Sequence, residues 1–445
     1  MKKLVVLGGG ESGVGTALLA SQKGWIVFLS DKGILKDAYR QELKEGGIDF
    51  EEGGHTLAKI LDAHEVVKSP GIPDKAELVV ALKQKGIPVI SEIEFASRYT
   101  TAKKICITGS NGKTTTTLLI HHILKHAGIN AELAGNVGTS MARRIASGVQ
   151  PDWYVIELSS FQLDGMFRFK ADVAVLTNIT PDHLDRYDYK FENYISSKFR
   201  IVQNQTATDC FIYCDDDAVI ASYLPEVDRK ALSLPFSLNH PIAQGAWLDG
   251  ESLKVCVGDD CLSVDSALLP IKGRHNQYNA MAASLAVSVL KLNPKTILEG
   301  LYSFKSVEHR LEPCGVVHGV SYINDSKATN VDSAWYALEC MTQPVVWIAG
   351  GTDKGNDYSR LNELVRQKVK TLICLGKDNS KLLASFRGVA PQIVETFSME
   401  DAVRTASERS QPGDVVLLSP CCASFDLFNN YEHRGDLFKA CVHNL

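Results

Sequence analysis

Short apolar runs alternate with longer helix-like segments through the first part of the chain. The strand-like runs KKLVVLG, WIVFLSD and IPVIS are separated by segments such as GVGTALLASQKG and KAELVVALKQKG. Alternation of this kind predicts a parallel sheet with crossover helices. The more polar stretch IEFASRYTTAKK then predicts a boundary, so we expect a first α/β domain over residues 1–93.

The alternation resumes twice more along the chain. Strand-like runs occur at KKICITG, DWYVIELSS and ADVAVLTNIT, and later at PVVWIAGG, KTLICLG and DVVLLSP. Between these groups, GAWLDGESLKVCVGDDCLSV carries Asp-Gly and Gly-Asp turns and predicts a small antiparallel insertion. We expect a central domain over residues 94–305 and a third, doubly wound domain over residues 306–445.

Composition narrows the class of protein. A chain of 445 residues with 45% hydrophobic and 22% charged residues fits a soluble protein of two or three domains. The net charge of −5 argues against a nucleic-acid partner, and no apolar run reaches membrane-spanning length. The first apolar run ends at Leu7, too early for a secretory signal. The 11 scattered cysteines contain no CxxC, so we expect reduced thiols in a cytoplasmic protein.

The segment TGSNGKTTTT, residues 108–117, predicts a phosphate-binding loop. It places a glycine loop between an apolar strand and a helix, although it is two residues shorter than the usual form. Backbone N–H groups and the helix N-terminus would face an anion. Lys113 would approach the β- and γ-phosphates, and the Thr114 hydroxyl a magnesium ion. The alternative is a plain glycine turn with a solvated lysine.

Two further strand ends carry candidate metal or substrate ligands. Glu157 ends the run YVIE, where a carboxylate could hold a hard cation, or could instead cap a helix at the surface. Asn178, Asp182 and His183 follow the next strand in TNITPDH. A histidine on a loop can equally be solvated.

Further polar motifs are ambiguous when each is taken alone. The asparagines of HNQYN, Asn276 and Asn279, could pair with a base edge or satisfy a helix start. Arg310, Asp325 and Lys327, in EHR and NDSKATN, could offset phosphate charge or form surface ion pairs.

The first domain contains a glycine motif that two classes of ligand could use. Gly8, Gly10 and Gly13 of GGGESG satisfy GxGxxG, and Asp31 follows at the spacing of a ribose-binding acid. A nicotinamide or flavin site is therefore one interpretation. Any anion-binding loop at a helix start would use the same glycines, so the motif alone leaves both open. Glu11 lies within this motif and would add an unfavourable charge beside a phosphate unless it points away.

Taken together, these motifs resemble the Mur ligase family of ATP-dependent, amide-forming enzymes. The resemblance covers the whole chain in order, from TGSNGKTTT through ELSSFQL, TNITPDHLDRY, HNQYN, EHR and NDSKATN to SPCCASFD. The shortened phosphate loop is normal in that family. SPGI, DSKATN and SPCCASFD are most similar to the branch that adds D-glutamate to UDP-N-acetylmuramoyl-L-alanine.

The resemblance implies a fold and a reaction. The fold is α/β, with a Rossmann-like first domain for the UDP-sugar, a central P-loop ATPase-like domain and a C-terminal domain for the amino acid. ATP phosphorylates the alanyl carboxylate, and D-glutamate attacks the acyl phosphate. Such a ligase makes peptidoglycan precursors in the cytoplasm, and so supports cell wall biogenesis, cell shape and cell division. It needs small-molecule substrates only, and we expect a monomer.

The resemblance also implies residue roles. The catalytic residues are Lys113, His183, Lys198 and Lys327. ATP is bound by Gly109, Ser110, Asn111, Gly112, Lys113, Thr114, Thr115, Asn276, Asn279, Arg310 and Asp325. Two Mg²⁺ ions are held by Thr114, Glu157, His183 and a carbamylated Lys198. The UDP-sugar contacts Ser12, Asp31, Ser69, Gly71 and Asn136. D-Glutamate is held by Lys327, Thr329, Lys354, Ser424 and Tyr431.

Three other functions remain alternatives. Folylpolyglutamate synthase shares the ligase core, but it lacks a nucleotide-binding first domain. A nicotinamide oxidoreductase would use GGGESG and leave Lys113 and Glu157 without a role. A non-catalytic nucleotide-binding module would need the phosphate loop but none of the metal ligands.

Overall fold

The computed structural model describes residues 2–305 and 307–445. Within these residues the strands form three sheets, each with helices packed around it, so the chain has the predicted three-domain α/β architecture. The first two sheets belong to one compact unit, made of the chain up to Leu268 and Tyr278–Ser303. The third belongs to a second unit, Leu269–Gln277 and Phe304–Leu445. The predicted start of the third domain, Ser306, lies outside the described residues.

The first domain is a parallel sheet in the order β3-β2-β1-β4-β5. Its strands are β1 Lys3–Leu7, β2 Ile26–Ser30, β3 Asp49–Glu51, β4 Glu65–Lys68 and β5 Val89–Ile90. Its helices are α1 Glu11–Gln22, α2 Asp37–Glu45, α3 Leu57–Ile60 and α4 Glu77–Gln84, and the short helix α5 Glu92–Ala96 follows its last strand. The strand order reverses between β1 and β4, which is where open parallel sheets bind ligands.

The central domain has the order β14-β13-β12-β11-β10-β9-β6-β8-β7. Its strands are β6 Lys103–Thr108, β7 Ala131–Gly135, β8 Trp153–Glu157, β9 Val173–Leu176, β10 Cys210–Cys214, β11 Leu232–Ser237, β12 Gly245–Asp249, β13 Ser252–Val257 and β14 Asp260–Asp265. Its helices are α6 Lys113–His126, α7 Met141–Ala146, α8 Ser160–Leu163, α9 Phe191–Phe199, α10 Ala218–Tyr223, α11 Arg274–Ser288 and α12 Pro294–Ser303. The pairs β12–β13 and β13–β14 are antiparallel, which confirms the predicted insertion.

The antiparallel insertion contains one departure from the sequence expectation. Cys256 and Cys261 lie opposite each other on β13 and β14 and form a disulfide, so the expectation of reduced thiols is wrong for this pair. The hairpin register brings their Cα atoms to 4.2 Å. That register cannot be deduced from a separation of five residues alone. The other cysteines in the described residues are free thiols.

The third domain has the order β15-β16-β20-β17-β18-β19, parallel except for the edge strand β15. Its strands are β15 Glu312–Val317, β16 Val320–Asn324, β17 Val345–Gly350, β18 Val369–Leu375, β19 Ile393–Thr396 and β20 Val415–Cys421. Its helices are α13 Val331–Glu339, α14 Asn362–Lys368, α15 Ser380–Phe386, α16 Met399–Arg409 and α17 Tyr431–His443. Separate apolar clusters around Trp347 and Phe438 cover the two faces of the sheet, as a doubly wound fold requires.

No helix in residues 2–305 or 307–445 combines the length and the apolar character needed to cross a lipid bilayer.

Glu94 connects the first two domains through the backbone of the central one. It lies on α5, and its buried carboxylate accepts hydrogen bonds from the N–H groups of Phe167, Arg168 and Phe169 at 2.8–3.2 Å. Charge-assisted hydrogen bonds of this kind are stronger than neutral ones. The short helix that follows the first domain is therefore fixed to the loop before β9.

We expect Glu94→Gln to destabilise the protein by about 2 kcal/mol, because it replaces a buried acceptor of several N–H groups with a neutral amide. Chemical denaturation measures the change in the free energy of unfolding. Glu45→Gln, at an exposed position on α2, is the matched control and should change stability little. Equal losses for the two variants would contradict this role of Glu94.

Candidate active site

The predicted phosphate loop lies between β6 and α6, as the sequence indicated. Its backbone is bonded to the segment that follows β9: Asn111 N–H donates to Asn178 Oδ1 at 2.8 Å, and Thr177 Oγ1 donates to Asn111 O at 2.6 Å. The Ser110 hydroxyl donates to Thr180 O at 2.8 Å. The loop conformation is therefore fixed by the neighbouring strand end.

Two glycines make this close approach possible. A Cβ on Gly109 would lie 2.0 Å from Thr177 Oγ1, and one on Gly112 would lie 2.3 Å from Asn279 Oδ1. Both glycines also have positive φ angles, 143° and 83°. No other residue type fits at these positions without displacing a neighbour.

Lys113 bends back over the loop. Its Nζ donates to Gly109 O and Ser110 O, both at 2.8 Å. Thr114 and Thr115 follow in the first turn of α6 and are buried. The ammonium group therefore lies over the backbone that would surround a phosphate, which places positive charge where a triphosphate needs it.

Glu157 ends β8, next to β6 in the sheet, and is almost fully buried. Its Oε1 accepts a hydrogen bond from Asn136 Nδ2 at 2.7 Å, whereas Oε2 is buried and has no hydrogen-bond partner within the described part of the chain. A buried carboxylate oxygen without a donor is costly unless a cation contacts it. Asn136, predicted as a UDP-sugar contact, is placed here beside Glu157.

Lys198 is buried on α9, close to the phosphate loop. Its Nζ donates to Gly109 O at 2.8 Å and to Thr108 Oγ1 at 3.2 Å. Burial lowers the pKa of this amine well below its usual value, and the charge of Lys113 lowers it further. A lysine taken alone is ordinarily expected to be solvated, but Lys198 is buried.

Tyr194 belongs to the same cluster, although no sequence motif drew attention to it. Its hydroxyl lies 3.0 Å from Ser110 Oγ, and Lys198 Nζ lies 5.1 Å from its ring centroid. Tyr194 precedes Lys198 by four residues on α9, so helical spacing places both on one face. This helical spacing is the feature of the sequence that could have indicated Tyr194 as a neighbour of Lys198.

His183 lies on the loop after β9 in a left-handed conformation, with φ of 52°. Its ring is within 3.5 Å of Asp182 Oδ2 and packs edge-on against Phe161. No group of three or more His, Cys, Asp or Glu residues able to hold a metal ion occurs among residues 2–305 and 307–445. Only two of the predicted metal ligands, Glu157 and His183, belong to these residue types. The other two are Thr114 and Lys198.

The two asparagines of HNQYN occupy different surroundings. Asn279 accepts a hydrogen bond from Thr116 Oγ1 at 3.2 Å and lies against Gly112, so it is part of the phosphate-loop cluster. Asn276 belongs to the second compact unit, where its Nδ2 donates to Lys272 O at 2.9 Å.

The second unit gathers polar residues at the carboxyl ends of β16, β17 and β20. Asp325 follows β16; its Oδ2 accepts from Ser419 Oγ at 2.8 Å. Burial raises the pKa of Asp325 to about 7, and the Ser419 hydroxyl and the charge of Arg310 partly offset that rise.

Lys327 lies beside Tyr431, with its Nζ 5.0 Å from the ring centroid. Thr329 is half-buried in the same loop, and Ser424 is buried in the loop after β20. Lys354 is exposed in the loop after β17. These predicted D-glutamate residues therefore follow three neighbouring strands of one sheet.

Arg434 organises these loops and was not predicted as a site residue. It is 1% exposed. Its guanidinium donates to Ser326 O at 2.8 Å, to Cys422 O at 3.2 Å and to Gly350 O at 3.4 Å. One side chain thus joins the loops after β16, β17 and β20. Arg434 begins the segment RGDLF, but its role follows from contacts with residues far away in the chain, which the segment alone does not reveal.

In the first domain, the predicted UDP-sugar residues cluster at the ends of β1, β2 and β4. Asp31 accepts hydrogen bonds from the N–H groups of Gly9 and Gly33 at 2.5 and 2.7 Å. A Cβ on Gly8 would lie 2.4 Å from Ser69 Oγ, so the loops after β1 and β4 touch. Ser12 lies in the first turn of α1, and Gly71 O accepts from Arg186 at 3.4 Å.

Comparison with known proteins gives consistent matches along the chain. Residues 3–78 match a family model described as MurD N-terminal domain, residues 107–287 match Mur ligase middle domain, and residues 309–422 match Mur ligase, glutamate ligase domain. A UDP-N-acetylmuramoylalanine–D-glutamate ligase of Christiangramia forsetii is 54% identical, with 100% of both chains covered. The chain belongs to the Mur ligase family. A protein of the same name in Cytophaga hutchinsonii is 52% identical over 99% of this Mur ligase and 98% of its own length.

Solved structures agree with the fold of this Mur ligase. A UDP-N-acetylmuramate-alanine ligase from Thermotoga maritima has a TM-score of 0.62, 18% identity and full coverage of both chains. A MurF ligase from Thermotoga maritima in complex with ADP has a TM-score of 0.63 at 14% identity and covers 97% of this chain and 99% of its own. At such identities the likeness concerns the fold alone.

We expect Gly112→Ala to weaken ADP binding at least about tenfold, because the new Cβ would displace Asn279 and the loop backbone. Calorimetric titration with ADP measures the affinity. Gly128→Ala is the matched control: its φ of 74° is similar, but its Cβ would meet no atom within 4 Å. Both variants should lose stability, and only Gly112→Ala should lose affinity. Equal affinities would show that the close contact is unimportant.

Asp325 should make stability depend on pH. Its pKa is raised in the folded state to about 7, so the stability contributed by its protonated form is complete below pH about 4 and is lost as pH rises through about 7. Asp325→Asn should therefore flatten the fall in the free energy of unfolding between these limits, by at most roughly 1.4 kcal/mol per pH unit, as measured by chemical denaturation at each pH. Asp378→Asn is the control. Asp378 is exposed and its pKa is lowered by the Ser380 side chain, so its removal should not flatten the fall. An unchanged pH profile in Asp325→Asn would contradict the assignment.

Proposed function

We propose that this Mur ligase joins D-glutamate to UDP-N-acetylmuramoyl-L-alanine at the expense of ATP. The observation that carries the proposal is 54% identity, along the full length of both chains, to a relative named for that ligation. The site supports it independently, because the phosphate loop and Glu157 lie on adjacent strands of one sheet. A ligase of this kind acts in peptidoglycan precursor synthesis.

The reaction needs activation of a carboxyl group before an amide can form. An alanyl carboxylate oxygen attacks the γ-phosphorus of ATP, the bond to the β,γ-bridging oxygen breaks, and ADP leaves. The amine of D-glutamate then attacks the acyl phosphate, a tetrahedral intermediate forms, and phosphate leaves with the amine losing a proton. The protein contributes position and charge compensation more than covalent chemistry.

The phosphate loop supplies much of this compensation. Lys113 already lies over the loop carbonyls of Gly109 and Ser110, and a short movement of its Nζ would exchange those acceptors for phosphate oxygens. Ser110, Asn111 and Thr115 are proposed as further ATP contacts. The N–H groups of Ser110 and Asn111 donate to Asn178 and would exchange that acceptor for phosphate oxygens. We assign adenine and ribose contacts to Asn276, Asn279, Arg310 and Asp325.

The residues present fit a divalent cation. The buried Glu157 Oε2 is an oxygen without a hydrogen-bond donor in the described residues. Thr114 is the second residue of α6, the helix that follows the adjacent strand β6 and the phosphate loop. Oxygen ligands of this type are what Mg²⁺ prefers. Bound there, Mg²⁺ would neutralise phosphate charge. We propose Thr114 and Glu157 as ligands of one ion and His183 as a ligand of a second.

Lys198 fits this site as a carbamate. Its Nζ is buried beside Gly109 O and close to Lys113. Addition of CO₂ to the neutral amine, with loss of one proton, would replace a buried nitrogen with anionic oxygens near the cation. The Lys198 carbamate would carry a negative charge, which favours metal binding, whereas a protonated amine would oppose it.

The remaining substrates are assigned to the other two domains. Ser12 lies in the helix after β1, and Ser69 and Gly71 follow β4, the two strands between which the order of the first sheet reverses; Asp31 follows the neighbouring β2. This arrangement supports the UDP-sugar assignment. Asn136 is proposed as a further contact. For D-glutamate, Lys327 and Lys354 would face its carboxylates, with Thr329, Ser424 and Tyr431 around them.

Two of the alternative functions are disfavoured by specific observations. A folylpolyglutamate synthase would not explain why residues 3–78 match a MurD N-terminal domain. That same match assigns GGGESG to a ligase domain, so the nicotinamide interpretation loses its only support. We further propose domain limits of 1–93, 94–305 and 306–445, a monomeric state and a cytoplasmic location.

Phosphate release with UDP-N-acetylmuramoyl-L-alanine and ATP tests the function directly. We expect release with D-glutamate, and little with L-glutamate or with no amino acid. Lys113→Ala should abolish release and leave UDP-sugar binding nearly intact, since Lys113 lies in the phosphate loop of the central domain. Exhaustive removal of dissolved CO₂ should lower the native rate if Lys198 is a carbamate. Release only with L-glutamate would overturn the specificity, and simultaneous loss of both properties in Lys113→Ala would overturn the domain assignment.

A further inference from the structure

Glu11 is an unexpected residue at the proposed UDP-sugar site. It is the first residue of α1, directly after the glycine loop Gly8–Gly10. Backbone N–H groups and the positive end of this helix favour a diphosphate, but a free carboxylate at the same place would repel it. Diphosphate binding at this loop therefore requires another group that neutralises the Glu11 carboxylate.

Arg143 supplies the opposite charge from the central domain. Its Nε lies 2.9 Å from Glu11 Oε1, and the Tyr39 hydroxyl donates to the other carboxylate oxygen at 3.4 Å. The same guanidinium also binds Glu42 on α2. Glu11 is therefore drawn toward α7 and held there by partners on α7 and α2.

The packing of α1 on α7 fixes this arrangement. A Cβ on Gly15 would lie 2.5 Å from Ser140 Oγ and 2.9 Å from Arg143 Cβ, so the two segments approach without an intervening side chain. Ser140 caps α7 by accepting from Arg143 N–H at 3.2 Å. The start of α7, and with it the guanidinium, has a defined position beside Glu11.

We propose that Arg143 is a positioning residue of the sugar-nucleotide site, which neutralises Glu11 and holds its carboxylate away from the diphosphate. The inference rests on the proposed function, since it takes the loop after β1 as the diphosphate site. It makes the affinity for the sugar nucleotide depend on a side chain of the ATP-binding domain. Arg143 itself does not touch the ligand.

Arg143→Met tests this with the least disturbance, because methionine keeps an unbranched apolar stem and removes the charge. The probe is UDP, titrated calorimetrically at low and high ionic strength. We expect about tenfold weaker binding than the native protein at low ionic strength, and a smaller difference at high ionic strength because salt screens the uncompensated carboxylate. ADP binding should be unchanged, and this serves as the check on folding.

Two double variants separate Glu11 from the general charge of the region. Arg143→Met with Glu11→Gln should restore UDP affinity to within about twofold of the native value, since no carboxylate then needs compensation. Arg143→Met with Glu42→Gln is the matched control and should remain weak, because Glu42 does not adjoin the glycine loop. Equal rescue by both would mean that net charge, not Glu11, is responsible, and would overturn the proposal.

The remaining outcomes are also decisive. If native protein binds UDP and Arg143→Met binds it equally well, the role of Arg143 is wrong and the sugar-nucleotide assignment stands. If native protein does not bind UDP, the assignment itself is wrong and this inference falls with it. Should Arg143→Met fail to fold, Arg143→Gln takes its place: it should weaken UDP binding to a similar extent and be rescued by Glu11→Gln, and a native-like affinity of Arg143→Gln would contradict the proposal.

Discussion

The central site depends on the close approach of the phosphate loop to its neighbours. The loop backbone reaches the segment after β9 through hydrogen bonds at Asn111, and it reaches α11 where Gly112 lies against Asn279. Only residues without a Cβ can occupy Gly109 and Gly112 at these distances. A shortened loop can therefore keep a fixed shape, because the neighbouring segments, and not its own length, determine its conformation.

Around this loop, the charges form a consistent arrangement. Lys113 and Lys198 are two nitrogen bases close to one backbone turn, and burial together with their mutual repulsion lowers the pKa of Lys198. Glu157 presents a buried oxygen that has no hydrogen-bond donor in the described residues. A buried lysine with a lowered pKa and a buried carboxylate oxygen without a donor are the kind of perturbed groups that cluster at functional sites.

Elsewhere in the chain, single charged side chains also join several separate segments. Arg434 joins the loops after β16, β17 and β20, where the D-glutamate residues are proposed to lie. Glu94 fixes the helix after the first domain to the backbone before β9. Arg143 compensates Glu11 across the first and central domains. In each case hydrogen bonds to several partners offset the cost of removing a charge from water.

The sequence by itself determined the class of fold, the position of the phosphate loop and the family. These depend on local order: apolar runs alternating with helical segments, and a glycine loop between a strand and a helix such as TGSNGKTTTT. It could not reveal Tyr194 or Arg434, the buried state of Lys198, or the Cys256–Cys261 pairing. Those properties arise from strand register and from contacts between residues far apart in the chain. Burial, and with it the charge state of a lysine or an aspartate, exists only once the distant segments have packed together.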